Sequence, residues 1–200
     1  MRLQINPDHP EPRKIGQAIT ALKRGGVIAY PTDTVYGIGC DIHDRKAIER
    51  IYQMKPMAKN QLLAFLCPDL SDIARYAYVD DRAYRLMRRL VPGPYTFILR
   101  ATKEVPKVLL MNRKTIGIRV PKHPVPQALL RELGGPIIST SASFDGENLI
   151  DPGEINERFA QLDMVLDGDT CGAVASTVID LTGEQPEVVR LGAGPVDGIA

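Results

Sequence analysis

The segment Pro31-Thr32-Asp33-Thr34-Val35-Tyr36-Gly37-Ile38-Gly39 gathers three hydroxyl side chains and a carboxylate within nine residues. It follows an apolar run, Gly26-Val27-Ile28-Ala29-Tyr30, that reads as a buried strand. Pro31 cannot donate to a sheet ladder and so ends that strand. Hydroxyls at a strand end, closed by glycines that let a ligand approach the backbone, suit a small-molecule site with Thr32, Thr34 and Tyr36 as contacts. The competing reading is a turn whose Thr and Asp side chains bond their own backbone.

A second candidate is Thr115-Ile116-Gly117-Ile118-Arg119-Val120. Period-two alternation puts Ile116, Ile118 and Val120 on one face and Thr115, Gly117 and Arg119 on the other. Gly117 leaves room beside Arg119, and a guanidinium is the natural clamp for a carboxylate. An arginine paired to a surface acid is the alternative. Ser139-Thr140-Ser141-Ala142-Ser143, after the apolar Ile137-Ile138, offers small hydroxyls at a strand end, although such residues are also ordinary loop formers. Ser176-Thr177 precedes one further strand, and Arg190 ends another; a capped hairpin with a surface arginine explains them equally well. Arg82, Arg85 and Arg89 fall on one side of a helix, with Arg88 adjacent, Arg75 upstream, and Arg113, Lys114 and Lys122 able to extend the patch. A solvated face and a phosphate-binding surface both account for them.

These residues need a scaffold in which strands and helices alternate. Helices are expected over Pro12 to Arg24, Arg45 to Met54, Asp80 to Leu90, Pro126 to Leu133 and Gly153 to Phe159, each from its apolar spacing and its Gly or Pro punctuation. Strands are expected at Gln61 to Cys67, Thr96 to Arg100, Thr115 to Val120, Ile137 to Ser141, Met164 to Leu166, Thr177 to Leu181 and Glu187 to Arg190. The pattern predicts an α/β (α+β) single domain over residues 1–200, with one twisted mixed sheet flanked by helices.

Composition narrows the function. Twenty-five Lys+Arg against 24 Asp+Glu give a net charge of +1, so no global field draws in nucleic acid and any RNA contact must be local. Cys40, Cys67 and Cys171 lie far apart without histidines at ligand spacing, which argues against a metal site or a disulfide framework. Met1 to Glu11 does not resemble a signal peptide and no apolar run reaches membrane-spanning length, so a cytoplasmic protein with no membrane partner is expected. Asp33 is the only acid inside a motif. No catalytic residue is readable: no Ser/His/Asp or Cys/His arrangement and no carboxylate pair stands out.

The Pro31–Gly39 segment resembles the opening signature of the YrdC family. Tyr95-Thr96-Phe97-Ile98-Leu99, Lys114 to Pro121, Ser139-Thr140-Ser141-Ala142 and Ser176-Thr177-Val178-Ile179-Asp180 extend the resemblance along nearly the whole chain, nearest to the YciO branch. The resemblance implies a single-domain fold with an open concave face. It also implies the synthesis of threonylcarbamoyl-AMP from L-threonine, bicarbonate and ATP with Mg2+, for t6A modification of tRNA. Arg119 would hold the threonyl carboxylate, with Thr32 near its amine or carbonyl end. Lys55, Lys59, Ser143 and Arg190 would lie on the nucleotide side, and double-stranded RNA or tRNA would meet the concave surface. Two departures fall on that nucleotide side. Met57 stands where the family's synthases carry the arginine of a Lys-x-Arg pair, and Ser143 stands where an asparagine is usual. A thioether cannot neutralise phosphate charge, and one hydroxyl cannot reproduce a carboxamide. The expectation is a weak synthase. The rivals are an ATP-independent enzyme acting on threonylcarbamoyl groups of modified tRNA, and a double-stranded RNA-binding module without catalysis.

Overall fold

The computed structural model describes residues 1–55, 63–71, 73–110 and 114–199. The chain opens with β1 (Arg2–Gln4), α1 (Pro12–Lys23), β2 (Ile28–Tyr30), β3 (Gly37–Asp41) and α2 (Arg45–Met54). β4 (Ala64–Leu66), α3 (Ile73–Tyr76), β5 (Ala77–Tyr78), α4 (Asp81–Leu90) and β6 (Tyr95–Ala101) follow. Next come α5 (Lys107–Leu110), β7 (Thr115–Arg119), α6 (Pro124–Leu133), β8 (Ile137–Ser141), β9 (Ser143–Phe144) and β10 (Glu147–Asn148). The chain closes with α7 (Pro152–Arg158), β11 (Met164–Asp167), β12 (Thr177–Asp180) and β13 (Glu187–Arg190).

Local chemistry explains the boundaries. α1 has proline at its start and buries Ile15, Ala18, Ile19 and Leu22. It stops where Gly25 takes a φ of +78°, a left-handed conformation that glycine tolerates best. Asp44 caps α2 by accepting from the Ala47 amide at 2.9 Å, and Asp80 caps α4 by accepting from Ala83 at 2.7 Å. Each such cap contributes about 1 kcal/mol. α6 begins two residues before the expected Pro126 because His123 caps it through Nδ1.

The large sheet runs β1-β11-β2-β3-β8-β4-β7-β6-β12-β13, with β5 added to β6. Its pairings are both parallel, as in β4 with β7, and antiparallel, as in β6 with β7. Alternation divides the side chains. Ile38, Ile138, Phe65, Ile118, Phe97 and Ile179 belong to one core cluster together with buried residues of α2, α4 and α7. A smaller cluster joins Ile15 and Leu22 of α1 to Leu129 and Leu130 of α6, over Ile28, Tyr30, Ile137 and Leu66. Burying one such large aliphatic side chain contributes roughly 1.5–3 kcal/mol. The two cores leave part of the second face bare, from β3 across to β13, and that part forms the concavity. Among the described residues no helix is long and apolar enough to cross a membrane.

β3 was not expected as a strand, because its glycines read as the close of a loop. In the fold it pairs with β2 and β8, and Gly37 and Gly39 let the Tyr30 ring lie across it. A Cβ on Gly37 would meet Tyr30 Cε2 at 2.8 Å, and one on Gly39 would meet Tyr30 Oη at 2.8 Å.

Candidate functional site

The concave face holds a cavity of about 230 Å³, open at one side. Its floor is made of small residues in register. Ala64 of β4 lies between Ser139 of β8 and Gly117 of β7, and Gly117 pairs with Ile98 of β6. Large side chains at these places would fill the space. A Cβ on Gly117 would already stand 3.2 Å from Thr96 Cγ2 and 3.5 Å from Ala64 Cβ.

Arg119 ends β7 and reaches into the cavity while only 8% exposed. Its Nη2 donates to Asp33 Oδ1 at 2.7 Å, to Thr34 Oγ1 at 2.9 Å and, at 3.5 Å, to Thr32 Oγ1. Three acceptors thus crowd one nitrogen. Arg119 Nε and Asp33 Oδ2 are buried without a hydrogen-bond partner among the described residues. A buried charged pair normally satisfies all its polar atoms, because an unmet one costs about 1–3 kcal/mol. The pair is therefore incomplete, with one donor and one acceptor still to be met.

The Pro31–Gly37 turn behaves in both ways that its residues allow. Thr32 Oγ1 donates to Val35 O at 2.6 Å and accepts from Thr34 N at 3.1 Å, which ties the turn to itself. Thr32 also lines the cavity, while Thr34 lies behind it as a partner of Arg119. Tyr36 also lines the cavity. Its hydroxyl is spent elsewhere, donating to Asp169 O at 2.7 Å and accepting from Gly168 N at 3.1 Å.

Ser139, Thr140 and Ser141 form the β8 wall. Ser139 Oγ accepts from the Tyr30 hydroxyl at 2.7 Å, and burial holds that phenol far above its ordinary pKa, so it is a fixed donor. Lys55, at the C-terminal end of α2, is 6% exposed and touches the same wall from behind. Its Nζ donates to Ser141 O at 2.5 Å and to Thr140 Oγ1 at 3.3 Å. Burial alone brings its pKa down to about 8.

Arg190 stands at the rim, exposed on β13. Its Nη2 donates to Ser176 O at 2.7 Å and to Ser176 Oγ at 3.3 Å, and Nε adds a bond to Ser176 O at 3.2 Å. Ser176 shares a hydrogen bond with Thr96 Oγ1 at 2.8 Å. Burial and then the charge of Arg119 lower the Arg190 pKa.

Several expected residues are not brought to the cavity. Thr115 shares the face of Gly117 and Arg119 but lies outside the lining, at the far end of β7. Thr177 is fully buried, donating to Gly194 O at 2.6 Å and accepting from Gly192 N at 3.1 Å, so it fixes the C-terminal loop. Ser143 sits on β9, paired with Asn148 of β10, and is not among the lining residues. Lys59 and Met57 lie outside the described residues, as do Arg113 and the first part of the Gln61 to Cys67 strand. Arg82 donates to Gly183 O at 3.2 Å and Gln185 Oε1 at 3.3 Å, Arg85 to Asp81 O at 3.2 Å, and Arg89 to Gly198 O at 3.1 Å. None of the three lines the cavity.

Three contributors were not singled out from sequence: Thr96, Thr140 and the pairing of Asp33. Thr96 and Thr140 lie inside motifs that were read, at positions where alternation could have placed them. The Asp33–Arg119 pair spans 86 residues and joins a turn to a distant strand, so local spacing carries no sign of it.

The structure is thus a mixed α/β domain whose concave face carries a small hydroxyl-lined cavity with a buried arginine in its lining. Residues 20–192 match the model of the Sua5_yciO_yrdC family, described as "Telomere recombination", and the chain belongs to that family. It is 47% identical over 196 residues to YciO of Escherichia coli K12, covering 96% of this chain and 95% of that one. The crystal structure of E. coli YciO superposes with a TM-score of 0.95 over 98% of both chains. A threonylcarbamoyl-AMP synthase of Vibrio vulnificus YJ016 is 34% identical over 134 residues, which is 66% of this chain and 72% of the relative. P. abyssi Sua5 complexed with L-threonine superposes with a TM-score of 0.92 at 28% identity, over all of this chain and 59% of that one.

Proposed function

We propose that the cavity binds L-threonine, with Arg119 holding its carboxylate, and that the protein is a threonylcarbamoyl-AMP synthase with weakened handling of ATP. The observation that carries this reading is Arg119 lining an amino-acid-sized cavity, its guanidinium held in place by Asp33 and Thr34. The Arg119 guanidinium, lining the cavity, is a charge-assisted donor for a carboxylate, in a site dry enough to make that bond count. Thr32, Ser139 and Ser141 add hydroxyls around it. The relation to the synthases, and the L-threonine complex of P. abyssi Sua5, support threonine over other amino acids.

The volume is below the range that encloses a drug-sized molecule, so a nucleotide would lie across the mouth. ATP with Mg2+ fits that mouth in charge, since Arg190 lines it and Lys55 adds its charge from behind the Ser139–Ser141 wall. ATP would supply activation of a carboxylate as its adenylate, with pyrophosphate leaving. The chain's own part is positioning: Arg119 fixes the amino acid, the Ser139–Ser141 wall sets its depth, and Arg190 at the mouth, with Lys55 behind that wall, stabilises phosphate charge. Met57 contributes no such charge. Its substitution for arginine is expected to lower pyrophosphate release about 100-fold or more below that of arginine-bearing synthases.

The test is calorimetric titration of L-threonine and of ATP with Mg2+, separately and together with bicarbonate, with pyrophosphate release followed in parallel. Threonine binding with slow pyrophosphate release supports the proposal, and Met57→Arg should accelerate that release. Turnover equal to that of arginine-bearing synthases refutes the weakened nucleotide handling. Threonine binding without any nucleotide binding would move the assignment to an ATP-independent enzyme on threonylcarbamoyl groups of tRNA.

A further inference from the structure

α4 covers the face of the sheet opposite the cavity. Ala83, Leu86 and Met87 pack into the core cluster that holds Phe97 and Leu99 of β6, whereas Thr96 and Ile98 of the same strand line the cavity. Between α3 and α4 lies a separate groove of about 260 Å³. Leu70, Ile73, Val79 and Met87 give it an apolar lining, and the exposed Ala74 and Tyr84 complete it. Tyr84 is 46% exposed, and Tyr78, immediately before Val79, is 63% exposed. Large aromatic side chains left in water beside an apolar groove mark a surface that another molecule covers.

The charge around this groove is biased to one sign. α4 carries four arginines against one acid, Asp81, which lines the groove, and Arg75 of α3 adds a fifth. The neighbouring Asp80 is spent on the Ala83 amide. Among the described residues none of Arg75, Arg82, Arg85, Arg88 and Arg89 makes an ion pair. Arg82, Arg85 and Arg89 bond backbone carbonyls, and Arg75 lies over the Tyr76 ring at 5.5 Å. The helix dipole favours Arg88 and Arg89 in the last turn, but it opposes Arg82 in the first and gives no reason for Arg85. Arg88 follows Tyr84 by four residues and Arg85 by three, so both stand beside the groove, with Arg82 and Arg89 farther round the helix.

We infer that the α3–α4 groove docks an acidic segment of another protein, which seats an apolar side chain against Tyr84 and sets its carboxylates against Arg85 and Arg88. Charge complementarity decides the occupant. A second copy of this chain would bring the same arginines against one another across an isologous interface. A nucleic-acid backbone would use the arginines and leave the apolar groove empty. An acidic segment with apolar anchors satisfies both features at once. This surface lies away from the cavity and does not depend on what the cavity binds.

The test begins with the full chain as bait for a phage-displayed library of random peptides, and the enriched peptides are then measured by fluorescence anisotropy. They should be acidic and carry a leucine or aromatic anchor. Tyr84→Ser removes one wall and Ala74→Trp fills the groove, both without changing charge; each should weaken binding at least about tenfold. Arg85→Glu combined with Arg88→Glu should weaken it as much at low salt and less at high salt. Thermal melting checks that these exposed substitutions leave the fold intact, and L-threonine affinity should be the same in all of them. No enrichment, enriched peptides without net negative charge, or affinities that survive both Tyr84→Ser and Ala74→Trp overturn the inference. So does a short RNA duplex that binds more tightly than every selected peptide and is lost in the Arg85/Arg88 variant, which would give this face to nucleic acid.

Discussion

Arg119 on β7 and the arginines of α4 carry the same guanidinium into opposite circumstances. Arg119 is buried among Asp33, Thr32 and Thr34, yet its Nε is left without a partner. Arg82, Arg85 and Arg89 lie at or near the surface and donate mainly to backbone carbonyls of α4 and of the C-terminal segment. An exposed guanidinium has water as an alternative partner, so its bonds are exchangeable and contribute little. A buried one has no such alternative, so its bonds to Asp33 and Thr34 hold it in one place against the cavity, and its unmet Nε is a local cost of that position. What an arginine can do is set by what the fold leaves unmet around it.

The largest effect that would break this contrast is at Arg119. Arg119→Ala should lower L-threonine affinity about 100-fold or more, because it removes a charge-assisted clamp. It should also destabilise the fold by about 3–5 kcal/mol, since Asp33 would stay buried without its partner. Arg119→Lys should recover stability better than binding, because it restores charge but not the planar fork. Threonine titration and urea melts of both variants check this; unchanged affinity in Arg119→Ala would place the ligand elsewhere.

A smaller effect is expected at Gly117. Gly117→Val, with its first carbon already in contact with Thr96 and Ala64, should fill the floor. Threonine affinity is expected to fall about tenfold, with a stability cost of about 1–3 kcal/mol from overpacking. Retained affinity in a folded variant would show that the ligand does not reach the floor.

Lys55 gives a pH-dependent effect with a defined sign. Burial lowers its pKa to about 8, from an ordinary lysine value near 10.5. Between those values the unfolded chain holds a proton that the folded chain has lost, so this residue makes stability rise with pH across the window. Anion binding at the mouth favours the charged form. Affinity for ATP with Mg2+ should therefore weaken above about pH 8, by up to about tenfold per pH unit. Urea melts at about pH 7 and about pH 9, with and without Lys55→Met, test the first statement; ATP titrations across the same range test the second.

The smallest effect on the site belongs to α4. Replacing Arg82, Arg85 and Arg89 together by alanine should leave threonine affinity unchanged within about twofold and shift stability by about 1 kcal/mol or less. If these arginines serve double-stranded RNA, as the family resemblance implies, the triple variant should lower the salt dependence of RNA binding, by a slope of about one per lost phosphate contact. Equal salt slopes would leave α4 as a solvated face.

The elements with strong local signals could be read before folding. α2, β8 and β13 have the bounds that their apolar spacing and punctuation indicate. Alternation also placed Gly117 and Arg119 on one face, and both line the cavity. β3 escaped because Gly37 and Gly39 look like loop residues, and only the Tyr30 ring packed across them explains their place in a strand. Thr177 shows the opposite failure: a hydroxyl in the right motif is consumed by Gly192 and Gly194, a tertiary contact without a local signature. Asp33 could be seen, but its partner 86 residues away could not.

β13 ends the sheet and is exposed at all four positions, while β7 lies between β4 and β6 with four of its five residues buried. The two arginines of the cavity are therefore carried by strands of very different protection. Amide protons of β13 should exchange with solvent through local fraying, and those of β7 through far rarer opening events. A ligand that bridges the floor and the rim would tie the fraying strand to the protected one, so its arrival should register chiefly as slowed deuterium uptake at Val188 to Arg190.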